Sequence, residues 1–190
     1  MPRDHQNDSA TSLDPVSLSC HGRSGRRWFC VWTHPNREHQ AVRELRALGF
    51  ETYLPLCLSN LRLQRNAMVP LFPRYGFVVL APDSPWGEIL RHAGRTTTGA
   101  VAGIIRHAPD RPTPLPPGVI ENLIARTSPR GIVDDPGDIA PHSTPHAAQP
   151  PEWQNITSLG SSARVRLLCR LFGPDAAQRI VSEDETAHVA

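Results

Sequence analysis

The sequence predicts an α+β fold in which helices pack on a mostly antiparallel sheet. Almost all patterned hydrophobicity lies between Trp28 and Arg126. Within that zone short β-favouring runs and three helical stretches follow one another in the order βαβββαβα. Prolines at 70 and 73 bracket Leu71-Phe72, which keeps that piece out of a central sheet.

Taken in order, Trp28-Phe29-Cys30-Val31-Trp32 is β-favouring and apolar on both faces, so it reads as a central strand. Thr33-His34-Pro35-Asn36 has turn chemistry and offers a helix cap. Ala41, Val42, Leu45 and Leu48 then recur at helical spacing, with Arg37, Glu38, Arg43, Glu44 and Arg46 on the outer face, and Gly49 stops the helix. Phe50 to Leu54 alternates and ends at Pro55, giving a second strand. Leu58 to Leu63 leads into a tip at Gln64 to Ala67, from which Met68 and Val69 return. Tyr75 to Leu80 is a strongly apolar strand, Trp86 to Leu90 suits a short helix, and Val101 to Ile105 is a strand. Pro117 to Arg126 is an amphipathic helix with Val119, Ile120, Leu123 and Ile124 inward.

The expected organisation is a disordered tail at 1–25, a main domain at 26–128, a proline-rich linker at 129–151 and a short patterned segment at 152–190. Nowhere do eighteen apolar residues run together, and the polar start, with three aspartates before Leu18, is unlike a secretory signal. Cys20, Cys30, Cys57 and Cys169 are scattered without a CxxC pair, which points to reduced thiols and a cytoplasmic chain with no metal site. From Arg26 to Arg130 there are 14 arginines against 7 acidic residues, and 6 against 11 elsewhere. That basic core is compatible with an anionic partner and equally with none. No phosphate-cradling loop, carboxylate pair or nucleophile with a partner histidine stands in a convincing context, so an enzyme is not expected.

The run Trp28 to Pro35, then Glu38, Ala41 and Leu45, then Gly49 to Pro55, resembles the N-terminal domain of the NusG family of transcription elongation factors. Leu71-Phe72-Pro73-Arg74-Tyr75-Gly76-Phe77-Val78 is similar to its most recognisable segment. Trp86, Ile89, Gly99-Ala100-Val101, Pro114 and Val119-Ile120 complete the match in order. The compact domain and short basic hairpin lean toward specialised RfaH-like paralogues. The resemblance implies a non-enzymatic regulator without cofactor that binds the clamp helices of RNA polymerase, bridges its two large subunits, and suppresses pausing or termination.

By the same resemblance Trp32 and Phe72 line the docking pocket, Pro73 and Tyr75 flank it, and Leu71 contributes. Aromatic anchors dominate such helix-in-groove contacts. Phe72, held between two prolines on a loop, is expected to be exposed. Arg62, Arg65 and Arg74 lie beside the pocket, and His34, Arg37 and Gln40 near the first helix, as candidates for contact with polymerase or non-template DNA. Arg91, His92, Thr96, Thr97 and Thr98 are candidates for a gate-loop contact with the second large subunit.

Family members end in an SH3-like KOW barrel that recruits Rho or the ribosome. Here Gly137-Asp138-Ile139 resembles its start, Ala163 to Leu168 with Leu171-Phe172-Gly173 its central hairpin, and Gln178 to Ser182 its last strand. The intervening Gly-Pro-Phe is absent, so a partial, degenerate barrel is expected at 152–190. Two alternatives remain open at this point: a nucleic-acid-binding module acting without polymerase, and a decayed family copy.

Overall fold

Aromatic and β-branched residues on both faces give Arg27–Thr33 (β1) its place inside a sheet. The structure, a computed structural model, describes residues 25–59, 67–81, 84–87, 89, 91, 99–108, 111–134 and 151–173. β1 pairs antiparallel with Tyr75–Leu80 (β5) on one side and Val101–Ile104 (β6) on the other. Thr52–Tyr53 (β2) adds to the far edge of β5, giving the order β2-β5-β1-β6. Every residue of β5 is buried, which is why its sequence is apolar throughout. A separate hairpin joins Leu56–Leu58 (β3) to Met68–Pro70 (β4), so Pro70 sits in a two-stranded edge sheet. Its expected tip, Gln64 to Ala67, lies outside the described residues except for Ala67. A second small hairpin, Arg106–Ala108 (β7) with Arg111–Pro112 (β8), was not legible in the sequence, where three- and two-residue runs carry no period.

The two faces of the sheet have different covers. Glu38–Ala47 (α1) lays Ala41 and Leu45 against Val31 and Val78. The opposite face carries Trp28, Cys30, Tyr53, Phe77 and Val79, and Val119–Ala125 (α2) packs there through Val119, Ile120 and Leu123. Tyr53 lies opposite Phe77 across the ladder and the rings stack at 6.5 Å. Gly49, at φ +85°, ends α1 as expected. Trp86 and Ile89 are helical, as their spacing suggested.

Several local expectations need correction. Arg37 takes the N-cap of α1 without a side-chain capping hydrogen bond, so the cap expected from residues 33–36 is not made. Leu48 is 38% exposed, because the helix ends before it completes the inward stripe. Glu38, expected outside, is buried and accepts the Arg74 N–H at 2.8 Å. Packed structure also runs on to Asp134: Ile132 and Val133 are buried, and the Val133 N–H donates to the Leu56 carbonyl at 2.8 Å.

The largest correction is at the C-terminal end. Ala163 to Leu168, expected as a strand, belongs to the helix Ser161–Arg170 (α3). Its buried residues are Arg164, Leu167, Leu168 and Cys169, a helical stripe rather than an alternation. Arg164-Val165-Arg166-Leu167 fits a period of two for four residues, but Leu167-Leu168-Cys169 breaks it. The segment holds no internal Gly or Pro between Ser161 and Arg170, and Gly173 at φ +85° closes it. Residues 137–139 and 178–182, the other supposed barrel pieces, lie outside the described residues.

Burial also fixes an alkaline limit on stability. Burial pushes the Cys30 thiol well up, with Cys169 adding to the shift. Burial likewise drives the Tyr53 phenol far above its ordinary value, against the opposing hydrogen bond with Thr127. Both groups are acids whose folded form holds the proton longer than the unfolded chain does. Their contribution is therefore complete below the ordinary thiol range and lost as pH rises above ~8.5 for the thiol and ~10 for the phenol. Melting temperature should fall steadily from pH 8.5 to 10.5 at constant ionic strength. A flat profile over that window would contradict the assignment.

Candidate functional site

The segment Leu71-Phe72-Pro73-Arg74-Tyr75 turns between β4 and β5. The Leu71 N–H donates to the Pro55 carbonyl at 2.8 Å and the Tyr75 N–H to the Phe72 carbonyl at 3.1 Å, which fixes the turn at both ends. Arg74 adopts φ +70°, and its N–H is held by the buried Glu38 carboxylate. Its carbonyl accepts from the Thr33 N–H at 2.8 Å, tying the turn to the end of β1. The Arg74 guanidinium lies 5.1 Å from the centroid of the Trp32 ring, a cation–π contact on a half-buried indole.

Five residues singled out in the sequence thus meet on one side of the sheet. Leu71, Phe72 and Tyr75 are buried in the same apolar cluster, Trp32 packs against its edge, and Pro73 is half-buried. Phe72 is not exposed, contrary to expectation: it is 0% exposed. Its ring meets Phe77 edge-on at 5.8 Å and Trp153 at 5.8 Å with a 47° tilt.

Trp153 is the first residue of the cover. It ends a short 3-10 turn, Pro151–Trp153, followed by another at Ile156–Ser158 and by α3. Trp153, Ile156, Leu167, Leu168 and Phe172 join the cluster that holds Phe72, so residues 151–173 lie on the face that the sequence marked for a partner. Four polar contacts cross the boundary among the described residues. Arg126, at the C-cap of α2, donates to the Trp153 carbonyl at 2.7 Å and the Gln154 carbonyl at 2.9 Å. The same guanidinium grips both oxygens of Asp134, whose Oδ2 also accepts from the Thr157 hydroxyl at 3.1 Å. On the far side of the cover, Arg164 Nη1 reaches the Cys57 sulfur at 2.5 Å.

The remaining candidates fall in two groups. His34 and Arg37 are exposed on the turn before α1, and Gln40 donates to Glu44 at 2.8 Å on the first helical turn. With Arg74 they lie on the end of β1 and the start of α1, beside the Trp32 edge of the cluster. Arg91 is described and exposed, whereas Arg62, Arg65, His92, Thr96, Thr97 and Thr98 lie outside the described residues. The sequence reading missed Glu38, Cys57, Arg126, Trp153 and Arg164. Only the helical spacing of residues 164, 167, 168 and 171 could have signalled the last of them.

No described helix is long and apolar enough to cross a membrane. Comparison with curated proteins gave no match. A family model described as transcription termination factor NusG matches residues 26–124, over half of the chain, and includes the sheet, α1, most of α2 and the whole Leu71 to Tyr75 turn. With its antiparallel sheet flanked by helices and the apolar face built around Phe72, the chain belongs to the NusG family of transcription factors, which are non-enzymatic and act with RNA polymerase.

Proposed function

We propose that this chain is a specialised, RfaH-like elongation regulator that docks on the clamp helices of RNA polymerase through Trp32, Leu71, Phe72, Pro73 and Tyr75. Docking across the cleft would favour a closed clamp and suppress pausing or termination. One observation carries the reading: the face around Phe72 is already filled by an amphipathic segment of the same chain. An apolar face that accepts one helix-bearing segment has the shape to accept another. Residues 151–173 then act as a lid, and polymerase binding requires that they leave.

His34, Arg37, Gln40 and Arg74 are proposed to contact the non-template strand or polymerase beside this face, and Arg91 the second large subunit. Positions 62, 65, 92 and 96–98 are retained with them on the strength of the resemblance alone. Contacts with Rho or the ribosome gain no support, because the described part of the C-terminal segment is helical where a barrel would carry them.

Capture of core RNA polymerase by the full chain tests the docking surface. Trp32→Ala, which removes a half-buried ring, is expected to weaken capture by ~2 kcal/mol, the loss typical of a central aromatic anchor. Phe72→Ala should do the same in chains that remain folded by circular dichroism. Unchanged capture by both would refute the assignment, and strong salt-dependent binding to free RNA without polymerase would favour the nucleic-acid module instead.

A further inference from the structure

Resting on the reading of residues 151–173 as a lid, we propose that Arg164 is a built-in weakness of the closed state that keeps the lid displaceable. Arg164 stands in the apolar stripe of α3, at a position where the pattern calls for a leucine. It is 6% exposed, and its Nε is fully enclosed. A guanidinium presents five donors and its charge needs an anion or several good acceptors. Here Nη1 meets a thiol, a weak acceptor, and Nε has no partner. Among the described residues no carboxylate pairs with it.

Two other arginines, Arg126 at the boundary and Arg170 on the exposed side of α3, show what adequate pairing looks like. Arg126 has both oxygens of Asp134 and two lid carbonyls. Arg170 pairs with Glu152 at 3.2 Å and is 68% exposed, where a charge costs nothing to hold. Arg164 alone of the three is both buried and poorly satisfied. Closing the lid strips its hydration without replacing it, and opening the lid restores it. Arg126 and the apolar side chains hold the lid down while Arg164 works against them, so a partner helix meets a cover that yields.

Alkylation of Cys169 reads lid opening directly, because that thiol is buried on α3 itself. The full-length chain is treated with N-ethylmaleimide and labelling at Cys169 is followed by peptide mass spectrometry. Arg164→Met keeps an unbranched stem and removes the guanidinium and its charge. It is expected to slow labelling about tenfold, equivalent to ~1.4 kcal/mol of tighter closure. Labelling at the wild-type rate or faster would overturn the proposal. Cys57→Asp, which gives Arg164 its missing carboxylate, is expected to slow labelling as well. It decides the matter if Arg164→Met does not fold, and faster labelling of Cys57→Asp would count against the proposal. Polymerase takes no part in this assay, so its result is independent of the docking assignment. Failure of Trp153→Ala to speed labelling would instead sink the lid reading and the proposal with it.

Discussion

Replacing Trp153 with alanine is expected to raise the affinity of the full chain for RNA polymerase by more than about a hundredfold. The indole lies 2% exposed against Phe72, and Trp→Ala in a packed site costs ~3–5 kcal/mol. That loss falls on the contact between residues 151–173 and the face they cover. If the closed form predominates, apparent affinity is the intrinsic affinity scaled by the open fraction. Weakening closure by ~3 kcal/mol therefore raises apparent affinity by about two orders of magnitude until the chain is mostly open. The sign is the informative part. A residue of the docking face weakens capture on truncation, as Phe72→Ala should, whereas a lid residue strengthens it. Titration of core polymerase against wild type and Trp153→Ala, with equal or weaker binding by the variant, would remove the lid from the scheme.

The second large effect should come from Arg126→Ala. Its guanidinium joins α2, Asp134 and the backbone of Trp153 and Gln154, and hydrogen bonds to a charged group contribute ~1.5–3 kcal/mol. Losing it leaves the Asp134 carboxylate with the Thr157 hydroxyl and frees the Trp153 and Gln154 carbonyls. Amide hydrogen exchange across Ser161–Arg170 should accelerate by ~10–100-fold, while β1 and β5 amides change far less. In a double-mutant cycle with Trp153→Ala the two effects should fail to add by ~1 kcal/mol or more, because both act on the same docked segment. Additive effects, or equal acceleration in β1 and α3, would show that Arg126 supports the domain generally.

The central domain was legible because its signals agree with one another. Trp28 to Trp32 is apolar on both faces and lies between two strands; Tyr75 to Leu80 is apolar throughout and fully buried. Gly49 stands where the chain needs a positive φ. The Leu71 to Tyr75 set was legible as a group, since the prolines and the family pattern pick out the same five-residue turn. Its burial was not, because that depends on Trp153, about eighty residues away, and no local pattern reports a contact of that span. Glu38 misled for the same reason: by helical spacing it belongs outside, but the Arg74 amide reaches it from another element. At the C-terminal helix a four-residue alternation agrees with the barrel that the family resemblance implies, and the structure departs from both. The better guide was the longer 164, 167, 168, 171 spacing, which the structure follows.

The family match stops at residue 124, and this boundary separates two kinds of part. Trp32, Phe72 and Tyr75 lie inside it. Arg126, Asp134, Trp153 and Arg164, which lie over or beside that face, all come after it. On the proposed reading, the matched region supplies the surface and the residues that follow govern when that surface is shown. Inside the matched region Phe72 and Cys57 both meet these later residues, through Trp153 and Arg164.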